Sequence, residues 1–341
     1  PIGWHAHEML YGYLAAIVTG FLLTAMPNWT GLPPLRGASL AALLGLWLAG
    51  RIAVAISGHL DARVVAVLDV AFLVVVALIL AVDVLRSKNW RNLSSVAVVA
   101  VFACGNALCH WPPAWAPQSA MGIGNAIGIA VAILLISLVG GRVIPAFTRN
   151  WLVSNNPGRR PIQYNRFDSL VLAVSACTLV AWVVAPRASM VTAALALAGV
   201  LHGARLARWA GDRTRGEPLL LVLHVGYAFV PLGFLLLAAS GMTAVVGESA
   251  ALHAWTAGAI GVMTIGMMTR VSLGHCGRPL AADASTIAMY AAMILAALVR
   301  IAAGLWPSMA VALLGIASAA WMLALLGFVV RYGPSLLTPR V

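Results

Sequence analysis

Charged residues are scarce in this chain, and their scarcity excludes most soluble folds. Only 9% of the 341 residues are Asp, Glu, Lys or Arg, whereas 62% are hydrophobic. The mean hydropathy is +0.97. A soluble globular domain carries about 25% charged residues. We therefore predict a membrane protein.

The sequence also lacks the patterns of several other protein classes. Its apolar runs are continuous, without the apolar/polar alternation of barrel strands. The four cysteines show no CxxC spacing, so we predict neither a disulfide framework nor a zinc site. There is no Walker A motif and no GxSxG motif, and His7-Glu8 lacks the second histidine of HExxH.

Apolar runs of about 20 residues, the length that crosses a bilayer as a helix, recur along the whole chain. We predict an all-α polytopic transmembrane bundle that forms a single integral-membrane domain over residues 1–341. Because residue 1 is proline, we expect the chain to begin within a longer protein, which has twelve spans if one lies upstream. The eleven predicted spans are 8–27, 37–57, 63–85, 92–110, 121–140, 169–185, 189–209, 219–240, 247–269, 283–303 and 307–331.

Basic residues lie unevenly at the ends of these spans. Seventeen Lys and Arg fall on the face reached after the first span, three on the opposite face, and Arg51 lies within a span. The richer face is cytoplasmic by the positive-inside rule. We expect a multi-pass protein of a bacterial inner membrane with a cytoplasmic C-terminus. The net charge of +12 comes largely from these loops, so we expect the lipid bilayer and no nucleic acid as partner.

This orientation sorts the eight histidines into two layers. We interpret His59 and His110, at the ends of spans, as interfacial residues. Near the outer face lie His5, His7, His59, His110 and His253. On the cytoplasmic side lie His202, His224 and His275.

The segment WHAHEMLYGY, at 4–13, places two histidines and a glutamate directly before an apolar run. Small residues recur at every fourth position after Glu8, and again after His253. Such a stripe lets another helix approach closely or leaves room for a flat cofactor. Imidazole ligates both iron and copper. One interpretation is a haem held by His253 with His7 or His5; ordinary helix packing explains the same stripes.

His5 and His7 are two residues apart, which is about 200° around a helix. A regular helix therefore presents at most one of them to a single iron. We favour His7 as the ligand, and we expect His5 to support the site without binding the iron.

Two further interpretations concern ionisable groups inside the spans. His202 and His224 lie at similar depth on consecutive antiparallel spans, so they can face one another and hold a second metal, or make functional hydrogen bonds. Arg51 and Asp69 match in depth on adjacent spans, and we interpret them as an ion pair. The alternative is that Arg51 meets an anionic group such as a haem propionate.

Long blocks of this sequence resemble the NnrS family. The blocks are WHAHEMLYGYLAAIVTGFLLTAMPNWTG (4–31), GGRVIPAFTRN (140–150), LHGARLARWAG with EPLLLVLHVGYAFVPLGFLLLA (201–238), and LHAWTAGAIGVMTIGMMTRVSLGHCGRPL (252–280). The resemblance implies an inner-membrane protein that carries haem and copper. It also implies a part in denitrification and in the response to nitric oxide and nitrosative stress.

By position, the family resemblance marks six histidines as candidate cofactor residues: His5, His7, His202, His224, His253 and His275. A looser likeness to the catalytic subunit of haem-copper oxidases and nitric oxide reductases fails for copper, because spans 121–140 and 169–185 have no histidine. The haem candidates are His5, His7, His253, His202 and His224, with Arg51. The copper candidates are His202, His224 and His275.

The leading hypothesis is a haem- and copper-binding membrane protein whose partner is nitric oxide or an iron-nitrosyl species. Turnover, sensing and simple binding of nitric oxide are all compatible with these residues. One alternative is a transporter for haem, metal or a small solute. Another is a structural or assembly subunit of the membrane. The sequence predicts no oligomeric state.

Overall fold

The fold is all-helical in the part of the chain that the computed structural model describes, residues 2–116, 121–243 and 245–338. Eleven helical stretches there are long and apolar enough to cross a membrane. The predictions of an all-α polytopic bundle and of eleven spans are confirmed. We number the stretches α1 to α11 in chain order: Ile2–Thr30, Ala38–Ala55, Ala62–Ser87, Trp90–His110, Ile123–Asn155, Arg166–Val184, Ser189–Ala207, Pro218–Met242, Glu248–His275, Ala284–Leu305 and Pro307–Leu337.

The chain divides into two compact units, Pro1–Val131 and Ala132–Val341, and the boundary falls within α5. In the first unit α3 packs against both α2 and α4. In the second unit α8 packs against α7 and α9, and α10 packs against α11. The single domain over residues 1–341 stays a prediction.

Polar side chains cap the starts of two spans, α3 and α6. Asp61 accepts the backbone N–H of Arg63 at 2.8 Å at the start of α3. Asn165 and Asp168 form a capping box at the start of α6. Each satisfies N–H groups that have no partner within their own helix. The caps therefore fix where the apolar stretches start.

Three spans contain π-helical segments, in which hydrogen bonds run from residue i to i+5. The segments are Glu8–Leu14 in α1, Ile136–Gly140 in α5 and Ala254–Val262 in α9. Such wide turns are rare, and they are frequent at functional sites. The first segment starts directly after His7 and the third directly after His253. The three spans that contain these segments are thus four spans apart along the chain.

Candidate metal centre

His7, Asp69 and His110 form a compact group of metal-ligating side chains, which we call the three-ligand group. One ligating atom from each lies within 4.8 Å of the others. The Nε2 atom of His7 is 3.0 Å from Asp69 Oδ2, and the Nε2 atom of His110 is 2.8 Å from the same oxygen. Among the residues described, one set of three or more His, Cys, Asp or Glu side chains is close enough to share an ion, and it is this group.

Three different helices of the first unit supply the group. His7 comes from the first turns of α1, Asp69 from α3, and His110 from the last turn of α4. The side chains of Asp69 and His7 are almost fully buried, with 1% and 8% of the residue surface exposed. A carboxylate so deep in an apolar bundle is costly unless cations or hydrogen-bond donors surround it.

Arg51 compensates the charge of Asp69. Its guanidinium donates to Asp69 Oδ1 and to Glu8 Oε1, and thus joins α2 to α3 and to α1. The predicted ion pair between Arg51 and Asp69 is present. Since Arg51 occupies Oδ1, the two histidines meet Asp69 at Oδ2 alone.

The ring of His7 lies between two carboxylates. Its Nδ1 is 3.2 Å from Glu8 Oε1, and its Nε2 is 3.0 Å from both Asp69 Oδ2 and Asn106 Oδ1. Without an ion, an N–H at Nε2 donates to the oxygens of Asp69 and Asn106. With the N–H at Nδ1 instead, donated to Glu8, the lone pair of Nε2 would be available to a metal ion. Metal-binding histidines characteristically make this bond to a carboxylate through the other nitrogen.

The distances suit ligands of one ion. Two donors about 2.1 Å from a metal and at right angles to each other are about 3 Å apart. The separations of Asp69 Oδ2 from the two Nε2 atoms are 3.0 and 2.8 Å. The donor set of two imidazole nitrogens and one carboxylate oxygen accepts divalent first-row metals.

A cavity of about 500 Å³ borders the histidines of the group. It lies wholly in the first unit and has His7 and His110 in its wall, whereas Asp69 is not among its lining residues. A small molecule inside it therefore contacts the imidazoles. Its other lining residues include Trp4, Cys109, Met121 and Asn125.

His5 and His59 stand apart from this group. Both are exposed; His59 ends a short 3₁₀ turn, Ser57–His59, between α2 and α3. The interfacial interpretation fits His59, whereas His110, interpreted in the same way, belongs to the three-ligand group. The sequence did contain a signal for this group, because an ionisable residue recurs near the same end of three spans, α1, α3 and α4.

His202 is fully buried and hydrogen-bonded at both ring nitrogens. Its Nε2 is 2.8 Å from Ser175 Oγ, and its Nδ1 is 2.9 Å from the hydroxyl of Tyr227. Its ring also stacks on Phe234, with centroids 5.3 Å apart. The sequence allowed two interpretations of His202, metal binding or hydrogen bonding, and this environment suits hydrogen bonding.

His224 has other partners. Its Nε2 is 2.9 Å from Thr148 Oγ1. Its Nδ1 lies against Gly211, where an added Cβ would be 2.6 Å away. His275 is exposed at the end of α9. The hydrogen bonds of His202 and His224 go to separate partners, and a metal site built from His202, His224 and His275 stays a prediction.

A second buried polar centre surrounds Arg205 on α7, which is 0% exposed. Its Nε donates to Asp168 Oδ1 at 2.9 Å, and its Nη1 donates to the Ser137 carbonyl at 2.7 Å and to the Tyr227 hydroxyl at 3.0 Å. Gly141 makes room for it, because a Cβ there would lie 2.2 Å from Nη2. Sequence reasoning assigned Arg205 to the cytoplasmic face and missed its burial.

His253 ends the first α-helical turns of α9. Its Nδ1 is 2.7 Å from the carbonyl oxygen of Ser249, one turn earlier. A histidine that donates Nδ1–H to a backbone carbonyl presents Nε2 as its ligating nitrogen. His253 and His7 belong to different units, and a haem between them stays a prediction.

Comparison with known proteins identifies the family. A family model described as NnrS protein matches residues 1–340. No curated protein matches the chain. The match covers almost the entire sequence, including α1, which carries His7, and α9, which carries His253. The multi-pass architecture and the presence of a His/Asp group agree with it, and the chain belongs to the NnrS family.

Proposed function

We propose that this protein binds haem and a second, non-haem metal in a bacterial inner membrane, with its C-terminus cytoplasmic, and acts in the response to nitric oxide and in denitrification. The observation that carries the proposal is the three-ligand group beside its cavity. A buried histidine, a half-buried histidine and a buried carboxylate that converge on one point are costly to fold, and a bound ion supplies a reason for them. Family membership is consistent with metal binding.

Nitric oxide suits this location. It is small, uncharged and soluble in the bilayer, so a metal centre within the helical bundle meets it without an aqueous channel. With the positive-inside orientation, the three-ligand group and its cavity lie toward the outer face.

His253 is our candidate for a haem ligand. Its Nδ1 is 2.7 Å from the Ser249 carbonyl, and an N–H donated there would make Nε2 the nitrogen that could hold haem iron. When bound there, haem supplies an iron that coordinates nitric oxide. His7 is better suited to the second metal, because its Nε2 already faces Asp69. Arg51 is already paired with Glu8 and Asp69, which favours its ion-pair role over a haem propionate.

Both ring nitrogens of His202 are hydrogen-bonded, and Nε2 of His224 is 2.9 Å from Thr148 Oγ1. A copper site built from His202, His224 and His275 stays a prediction, and we assign no step to copper at these positions. The nitrogen and oxygen donors of the three-ligand group fit a divalent first-row metal better.

Purified protein in lipid nanodiscs tests the proposal. Haem content, metal content and absorption spectra with and without nitric oxide are measured for the wild type and for His253→Ala, His110→Ala and His59→Ala. We expect His253→Ala to lose haem and His110→Ala to lose the second metal, with His59→Ala unchanged. Wild-type protein free of haem and metal, or unchanged content in both site variants, contradicts the proposal.

A further inference from the structure

We propose that the three-ligand group is a ferrous, non-haem iron site whose open coordination positions face the cavity and take nitric oxide. This inference rests on the proposed function, since it names the metal and the ligand of the same site. It goes beyond the haem and copper that the family resemblance implies.

The donor set is the first argument. Two imidazole nitrogens and one carboxylate oxygen, with further positions open, form the ligand set of non-haem ferrous sites. Soft sulfur donors, which select cuprous copper, are not in the group. The nearby thiol of Cys109 lies 3.5 Å from Asn125 Oδ1, which accepts its hydrogen bond.

The way Asp69 is held is the second argument. Arg51 donates to Oδ1, so only Oδ2 of Asp69 is directed at the two histidines. A carboxylate fixed in this way binds an ion through one oxygen. Three single-atom protein ligands leave positions vacant on an iron that accepts six.

The cavity is the third argument. His7 and His110 are in its wall, whereas Asp69 is not among its lining residues. An ion held by the three-ligand group would therefore lie beside a space of about 500 Å³. This space admits a diatomic ligand without movement of the helices.

Glu8 completes the site as a positioning residue. Its Oε1 lies 3.2 Å from Nδ1 of His7 and also accepts from Arg51. It thus orients the His7 ring and is itself held in place. The charges of Glu8, Asp69 and Arg51 add to −1, so a ferrous ion brings the site to +1 rather than adding two uncompensated charges to an apolar bundle.

Competition between metals determines how the site must be tested. Cupric copper binds nitrogen and oxygen donors more tightly than ferrous iron at any given site. Copper found in protein purified in air therefore does not identify the working metal. Metal-free protein must be loaded with ferrous iron under anaerobic conditions.

Electron paramagnetic resonance (EPR) after addition of nitric oxide tests the inference. Non-haem ferrous nitrosyls have a quartet spin state, and haem ferrous nitrosyls have a doublet. Full-length protein in nanodiscs, loaded anaerobically with ferrous iron, is expected to give one quartet centre per chain. The quartet signal should be lost in His110→Ala and Asp69→Asn and kept in His59→Ala.

Each outcome has a distinct meaning. A haem doublet or tight copper binding in the wild type without any quartet signal overturns the iron site and leaves the proposed function standing. A quartet signal that persists in folded His110→Ala also overturns the assignment. Absence of haem and of all metal binding overturns the proposed function itself. Thermal unfolding checks the fold of each variant. If Asp69→Asn does not fold, His110→Ala, whose side chain lies at the cavity wall, is the variant that tests the assignment.

Discussion

His110 and Asp69 are 41 residues apart in the sequence, yet Nε2 of His110 lies 2.8 Å from Oδ2 of Asp69. The contact follows from the antiparallel packing of α3 against α4, which brings the last turn of one beside the first turns of the other. The first turns of α1 bring His7 to the same carboxylate oxygen. Three spans thus meet at one atom.

Removal of one imidazole should greatly weaken metal binding. We expect His110→Ala to lower the affinity of the metal-free protein for ferrous iron by at least about 100-fold, more than the loss of a residue that only supports a ligand. Anaerobic titration measures the affinity, and His59→Ala is the matched control. Equal affinities in the two variants would contradict the assignment.

Glu8→Gln should weaken metal binding less and leave the fold intact. The neutral amide accepts a weaker bond from Nδ1 of His7, and such supporting changes typically cost 10- to 100-fold in affinity. The same titration measures the loss, with Glu248→Gln, in the first turn of α9, as control. An unchanged affinity would mean that Glu8 does not orient His7 for metal binding and serves only to neutralise Arg51.

Gly141→Ala should destabilise the protein by about 1–3 kcal/mol, the usual cost of overpacking. The added methyl group would lie 2.2 Å from Nη2 of the buried Arg205. Gly203→Ala is the matched control, because nothing lies within 4 Å of its added methyl group. Unfolding in detergent gives the free energies. A Gly141 variant as stable as the Gly203 variant would show that Arg205 moves without cost.

The Arg205–Asp168 pair should show strong energetic coupling. Arg205→Met leaves the Asp168 carboxylate buried without its main partner, which typically costs about 3–5 kcal/mol. Combining it with Asp168→Asn should destabilise the protein by much less than the sum of the single changes. A double-mutant cycle on free energies of unfolding measures this. Additive effects would mean that the two side chains do not interact.

Protonation of Asp283, which lies outside the spans, should destabilise the protein at acidic pH. Hydrogen bonds from Ser285 and Thr286, with the ion pair to Arg331, hold the pKa of the Asp283 carboxyl well below its usual range. Its stabilising effect is therefore complete above the ordinary pKa near 4 and is lost as the pH falls below it.

Melting temperatures of wild type and Asp283→Asn between pH 7 and pH 3 check this expectation. The variant should melt lower at pH 7, and the difference should narrow on acidification. Asp212→Asn is the control, since Asp212 and its partner Arg159 are more than half exposed and such pairs contribute little. A difference that is constant with pH would exclude an ionised Asp283 as its source.

Hydropathy predicted the existence and number of the spans because apolar length decides which segments can cross a bilayer. It predicted the end of α5 poorly: span 121–140 was expected, and the helix continues to Asn155. Arg142 and Arg149 interrupt the apolar run there. They do not interrupt the backbone hydrogen bonds, so the helix extends beyond its hydrophobic part.

The candidate site was predicted only in part. His7 was predicted as a haem ligand together with His253, and Asp69 and His110 were not joined to it, because contacts between helices depend on their rotation and tilt. The π-helical segment Glu8–Leu14 changes the rotation of α1 directly after His7. A four-residue repeat in the sequence does not reveal such a change. For the same reason the matched depth of His202 and His224 did not reveal their separate hydrogen-bond partners.

X-ray absorption at the iron edge of anaerobically loaded protein tests the central claim most directly. For protein that carries ferrous iron and no haem, we expect a first coordination shell of nitrogen and oxygen alone, with the multiple-scattering pattern of two imidazoles. We also expect that one imidazole disappears in His110→Ala and that neither disappears in His59→Ala. Sulfur in the shell, or an imidazole count unchanged by His110→Ala, would contradict a metal held by His7, Asp69 and His110.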